Sequence, residues 1–151
     1  MDLTEKIEKE VQIKASADQF FKIFSTQAHH IPNICSEHIH EIAVHEGDWE
    51  TPGSIKKWNY TIDGKTMSVK ESVEIDEANK KVIFNILEGD LMEHHKSLKS
   101  TVEAIAKDDG GALVKWSLEY EKMHADVPSL HSYLDLLEKM TKDIDNHLLK
   151  P

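Results

Sequence analysis

The chain has 151 residues, enough for one domain spanning residues 1–151 with a sizeable core, and 18 basic against 28 acidic side chains leave a formal net charge of -10. A field of that sign repels nucleic acid and anionic membrane surfaces and favours a monomer, and no apolar run reaches the length of about 18 residues that a membrane span needs. The single cysteine, Cys35, allows no intramolecular disulfide, and the opening MDLTEKIEKEVQI lacks the apolar stretch of a signal peptide, so a reducing cytoplasmic setting is expected.

Ile7, Val11 and Ile13 fall on one side at period two, which predicts a first strand in KIEKEVQIKA. Ser16 is placed to cap a helix that carries Phe20, Phe21, Ile23 and Phe24. A break between His29 and Pro32 divides that helical region into two short pieces. From His38 the period returns to two. HIHEIAVHE, SIKKWNYTI, KTMSVKESVEID, KKVIFNILE, SLKSTVEAIAK and ALVKWSLEYEK predict six more strands. The turns between them fall at the glycine-bearing loop Gly47 to Gly53, at Asp63-Gly64, at Glu77 to Asn79 and at DDGG.

The last segment changes period. Leu130, Tyr133, Leu134, Leu137, Met140, Ile144 and Leu148 recur at three and four residues, giving one apolar stripe on a helix of about six turns. Asp126 is the expected cap of that helix and Pro128 suits its first turn. One long amphipathic helix and a seven-stranded antiparallel sheet bury their apolar faces against each other, an α+β architecture with the sheet curled around the helix.

Alternation also sorts the side chains that face inward. Lys56, Trp58 and Tyr60 share a face; so do Met67, Val69, Glu71, Val73 and Ile75, and further rows come from Val82 to Ile86, Leu98 to Ala104, and Val114 to Tyr120. A dry core punishes an unpaired Glu71 or Lys56, whereas an apolar cavity with a few polar groups tolerates both. The alternative is that Glu71 and Lys56 pair with each other or reach the rim, and periodicity leaves both readings open.

Ten histidines raise the question of a metal. His38 and His40 lie two apart on one strand, but His29-His30 and His94-His95 diverge, and no Cys/His spacing matches a structural zinc site, so surface histidines and no metal or cofactor are expected. Cys35 lacks the flanking signature of a nucleophile and reads as an inert thiol.

Three motifs carry a resemblance that extends over essentially the whole chain: VHEGDWETPGSIKKWNYTIDGK, ILEGDLMEHHKSLKST and LVKWSLEYEKM. Together they resemble the plant major latex protein family, within the birch-pollen-allergen-like, START-related superfamily. The resemblance implies the helix-grip fold: a strand, two short helices, six strands, then a long C-terminal helix enclosing a hydrophobic cavity. It also implies carriage of apolar plant metabolites such as sterols, flavonoids or hormones, with links to defence and stress, and a few relatives that became enzymes of alkaloid biosynthesis.

The cavity walls expected on that basis are Phe24, Trp58, Tyr60, Val69, Phe84, Val102, Trp116, Tyr120, Tyr133, Leu137 and Met140, with Lys56 and Glu71 as polar handles. Gly47, Asp48, Pro52 and Gly53 belong to the family's glycine-rich loop, expected at the cavity mouth; with no helix after it, it is a poor phosphate cradle. Glu50, His95 and Leu98 stand where relatives commonly have glycine, tyrosine and phenylalanine. Burying some 300 Å² of an apolar ligand would yield about 7 kcal/mol before association costs, consistent with micromolar affinity. Two other readings remain. One is an isomerase or condensing enzyme in which Glu71 moves protons with Tyr60, Tyr120 or Lys56; the other is a regulatory protein whose loop reports ligand to a partner.

Overall fold

The computed structural model describes residues 2–150. Seven strands, β1 (Thr4–Ile13), β2 (Ile39–Glu46), β3 (Ile55–Ile62), β4 (Lys65–Asp76), β5 (Lys81–Gly89), β6 (His95–Ala106) and β7 (Ala112–Lys122), form one antiparallel sheet in the order β1-β7-β6-β5-β4-β3-β2. Strands two to seven are thus a meander, and the first strand returns to pair with the last.

The connecting turns follow from local chemistry. Asp63 and Gly64 both take positive φ, 49° and 77°, the conformation that a two-residue hairpin with right-handed strand twist requires. Register shifts in the β2–β3, β4–β5 and β6–β7 ladders add local twist. One of these shifts lies beside Glu71, and Leu87 on the facing strand is left exposed.

Helix α1 (Ala17–Ser25) starts at a complete capping box, with Ser16 Oγ accepting from Gln19 N and the Gln19 side chain accepting from Ser16 N. Its aromatic face delivers Phe20 and Phe24 to the core, where Phe24 meets Trp116 edge-on at 5.4 Å between centroids and Phe84 at 6.2 Å. The expected division into two short pieces is present, but the interruption falls at Thr26 and Gln27 rather than at His29 to Pro32: a short 3-10 turn, Ala28–His30, runs straight into α2 (Ile31–Ile34), whose first turn accommodates Pro32.

The long helix α3 (His131–Leu148) lies across the inner face, burying Leu134, Leu136, Leu137, Met140, Thr141 and Ile144. It starts later than its sequence suggests. Asp126 and Pro128 are exposed and lie outside the helix, and the N-cap position is Leu130, which supplies no side-chain hydrogen bond. At 18 residues it makes five turns rather than six. The reason is tertiary: the chain ahead of it is held by β1 and β7, as described below. The seven-stranded sheet gripping a C-terminal helix is the helix-grip fold.

Candidate functional site

Between α3 and the inner face of the sheet lies an apolar cavity of about 70 Å³. Alternation along β3 and β4 supplies Trp58, Tyr60, Val69 and Glu71; Phe84 and Ile86 come from β5, Leu98 and Ser100 from β6, and Trp116 and Leu118 from β7. Helical spacing on α3 adds Tyr133, Leu136, Leu137 and Met140, and α1 contributes Phe24. The volume is small beside the roughly 300–1,000 Å³ of a typical small-molecule pocket, so a guest of ordinary size requires the walls to part.

Ten of the thirteen residues picked from the sequence as cavity wall or handle line this space: Phe24, Trp58, Tyr60, Val69, Glu71, Phe84, Trp116, Tyr133, Leu137 and Met140. Val102, Tyr120 and Lys56 do not. Val102 is buried between Val82 and Trp116 on a strand that α1 packs against. The Tyr120 hydroxyl is engaged by β1 and by the start of α3, donating to Glu5 Oε1 at 2.6 Å and accepting from Leu130 N at 3.0 Å. It is therefore not available to relay a proton with Glu71.

Lys56 is the cross-strand neighbour of Glu71, yet the two form no ion pair, one of the alternatives that periodicity left open. Its Nζ turns outward, donating to the Trp49 carbonyl at 3.1 Å and lying 5.6 Å from the centre of that indole ring. Burial pushes the Lys56 ammonium below its ordinary range, with the negative charges of Glu71 and Asp48 pulling the other way. Glu71 keeps Oε1 buried without a hydrogen-bond partner. Loss of water raises its carboxyl from 4.5 to about 8, against the opposing pull of Lys56 and of the nearby Trp58 N–H, so at neutral pH the neutral acid predominates. Burial likewise raises the Tyr60 phenol, and the charges of Asp90 and Glu71 add to it.

Four cavity-lining side chains share one property. Trp58 Nε1, Tyr60 Oη, Glu71 Oε1 and Tyr133 Oη are all buried without a hydrogen bond of good geometry to the protein, although the Trp58 N–H lies near enough to Glu71 to favour its charged form. An unsatisfied buried polar atom costs about 1–3 kcal/mol, and native proteins rarely leave one without reason. Four around one apolar cavity leave hydrogen-bonding capacity there that the protein itself does not fill. The Tyr60 and Tyr133 rings meet edge-on at 5.5 Å, so sheet and helix converge there.

Ile39, Leu91 and Leu136 also line the cavity and escaped sequence reasoning. Ile39 precedes an irregularity in the β2 ladder that breaks strict alternation, Leu91 sits on the 3-10 turn Asp90–Glu93, and Leu136 lies one position off the helical stripe.

The glycine-bearing loop between β2 and β3 stands apart. None of Gly47, Asp48, Pro52 or Gly53 lines the cavity. The Asp48 carboxylate accepts from the backbone N–H of Glu50 and Thr51 and from Thr51 Oγ1, while Gly53 N donates to Val73 O at 2.6 Å. The amides that a phosphate would need are consumed by the loop's own aspartate. Gly47 is required, because at φ 85° an added Cβ would also collide with Ser54.

The remaining candidates have structural partners. His40 Nε2 bonds Thr61 Oγ1 at 2.6 Å, His38 lies in the turn before β2, and no cluster of three His, Cys, Asp or Glu suited to a metal occurs among the described residues. Cys35 is buried, and desolvation with the Asp143 charge pushes its thiol up to about 12. No helix among the described residues is long and apolar enough to cross a membrane.

Comparison with known proteins agrees with this architecture. The model of the pathogenesis-related protein Bet v 1 family matches residues 2–151. MLP-like protein 43 of Arabidopsis thaliana is 40% identical over 149 residues, covering 97% of this chain and 94% of its own length. MLP-like protein 28 of the same plant is 42% identical over 149 residues, 97% of this chain but 44% of its own length, so the chain spans under half of that relative. The crystal structure of ginseng major latex-like protein 151 from Panax ginseng superposes with a TM-score of 0.94 at 40% identity, covering 98% of this chain and 99% of that one. Norcoclaurine synthase from Thalictrum flavum shares the fold, with a TM-score of 0.79 at 19% identity over 98% of this chain and 88% of that one. By this family match and these relatives, the chain belongs to the Bet v 1 family and, within it, to the major latex proteins, whose fold is a ligand-binding one.

Proposed function

We propose that the protein is a carrier of hydrophobic plant small molecules, taking up a compact apolar guest between α3 and the sheet. The observation that carries this reading is the set of four partnerless buried polar atoms, from Trp58, Tyr60, Glu71 and Tyr133, around an otherwise apolar cavity. A guest with an apolar body and one or more hydroxyl, carbonyl or similar groups satisfies both features. Sterols, flavonoids and hormones belong to this chemical class. The family's description as pathogenesis-related supports a role in defence and stress, and one buried, unpaired cysteine suits the reducing cytoplasm. The net charge of -10 supports a monomer.

A neutral Glu71 with a carboxyl near 8 supports a second reading, an isomerase or condensing enzyme that transfers protons within the cavity. It has less support, since Tyr120 and Lys56 point elsewhere.

The test is titration with an uncharged apolar fluorescent dye, repeated on Leu98→Trp, which fills the cavity from the sheet side. Saturable one-to-one binding that Leu98→Trp weakens at least about tenfold supports the carrier reading. Binding unaffected by Leu98→Trp, or no binding, removes it. Turnover of a bound ketone or enamine that vanishes in Glu71→Gln while dye binding survives would favour the enzyme.

A further inference from the structure

The cavity is too small for an ordinary guest, so some wall has to move, and α3 is held very unequally along its length. Its C-terminal half is pinned by buried or backbone-directed bonds. Trp116 Nε1 donates to Thr141 Oγ1 at 2.8 Å deep in the core, and the Asp145 carboxylate accepts from the backbone N–H of Lys14 and Ala15. The N-terminal half, which carries the cavity residues Tyr133, Leu136 and Leu137, has no side-chain cap. Beside the apolar packing of Leu134, Leu136, Leu137 and Tyr133, its polar side-chain ties to the sheet among the described residues are the part-exposed ion pairs of Lys9 with Asp135 and Glu138, a kind that contributes little.

The stronger polar anchoring of that end is indirect. Residues 123–130 form an irregular strap between β7 and α3. Glu5 on β1 fastens it: Oε1 accepts from Ser129 Oγ at 2.7 Å and from Tyr120 Oη at 2.6 Å, and Oε2 faces Lys122 Nζ at 3.0 Å. The same Tyr120 oxygen accepts from Leu130 N, the residue at the helix start. A longer bond from Lys122 Nζ to Ser129 Oγ, 3.4 Å, joins the same cluster, and at the far end of the strap Met123 N donates to His94 O at 2.9 Å. The bonds from Tyr120, Ser129 and Lys122 hold the Glu5 carboxyl down at about 2, so Glu5 is ionised at ordinary pH.

We propose that Glu5 is the latch of a gate: by fastening the strap 123–130 to β1 and β7, it sets how often the N-terminal half of α3 swings off the cavity to admit an apolar molecule. Glu5 touches no guest; it acts as a positioning residue. The pinned half of α3, around Thr141 and Asp145, is the hinge. The proposal rests on the ligand-binding reading of the cavity, and its test separates the two.

The test uses Glu5→Gln and, as an independent lesion, Ser129→Ala, both at part-exposed sites where folding is expected to survive. Two quantities are read: hydrogen exchange of the Leu130 amide by NMR, and association and dissociation rates of an uncharged apolar dye by stopped flow. In Glu5→Gln, Leu130 exchange and both dye rates should rise about tenfold, the effect of losing one charge-assisted hydrogen bond. Kd should stay within about twofold, because a gate alters both rates together. Ser129→Ala should shift the same quantities less. Unchanged Leu130 exchange would overturn the latch, and faster exchange with unchanged dye rates would overturn the gate. Failure of the native protein to bind dye, with faster exchange in Glu5→Gln, would remove the binding reading and the gate with it, leaving a structural tie.

Discussion

Glu71 makes the energetics of the cavity measurable without knowing any ligand. The residue is 5% exposed, and its carboxyl is displaced from 4.5 in the unfolded chain to about 8 in the fold. Below pH 4.5 both states hold the proton and the group contributes nothing to pH dependence. Between 4.5 and 8 the unfolded chain releases the proton while the folded one keeps it, so stability falls as pH rises, by 1.36 kcal/mol per unit. Above 8 both are ionised and the full burden of a buried charge remains. Integrated across that window, the effect is about 5 kcal/mol. Glu71→Gln removes it while preserving shape. Urea denaturation of both proteins from pH 4.5 to 9 should show nearly equal stability at the acid end. The variant should then gain steadily to about pH 8, with the difference level beyond. Titrations of groups that do not interact with Glu71 cancel in that difference. Parallel stability curves would refute the reasoning, because they would mean that Glu71 is hydrated or paired in the folded protein.

Three further outcomes follow from single contacts. Thr141→Val leaves the buried Trp116 N–H without its acceptor and should cost about 1–3 kcal/mol by urea denaturation; a loss below 0.5 would show that the bond carries no weight. Ser16→Ala dismantles the capping box of α1 and should cost about 1 kcal/mol in the same assay, whereas an unchanged midpoint would contradict the cap. Cys35, with its thiol near 12, should resist a disulfide reagent at pH 8 in the native protein and react only as the chain unfolds; rapid stoichiometric labelling would contradict its burial.

How much of this was legible in the sequence depended on the range of the interaction involved. The strands from β2 to β7 were readable because a half-buried sheet writes its faces at period two, and Asp63-Gly64 gave its hairpin by local conformation alone. The same alternation put Trp58, Tyr60, Val69 and Glu71 on the cavity side. It could not show that the Tyr120 hydroxyl reaches Glu5, 115 positions away, or that α1 packs on β6, the strand that buries Val102. The start of α3 failed for the same reason. Asp126 and Pro128 are good local signals for a helix start, and they lost to a strap held by Glu5 and Tyr120. Lys56 and Glu71 were correctly placed as neighbours, but only the fold reveals that the lysine prefers the Trp49 carbonyl and leaves the carboxyl alone.

That solitary carboxyl and its three partnerless companions are the reason to expect a guest. Native mass spectrometry of the protein isolated from its source tissue, without denaturation, tests this most directly. A discrete small-molecule adduct, lost on unfolding and reduced in Leu98→Trp, is the expected result, and it gives the guest's mass at once. A bare protein mass, together with no uptake of an apolar dye, would contradict the carrier function and mean that the space between α3 and the sheet serves packing alone.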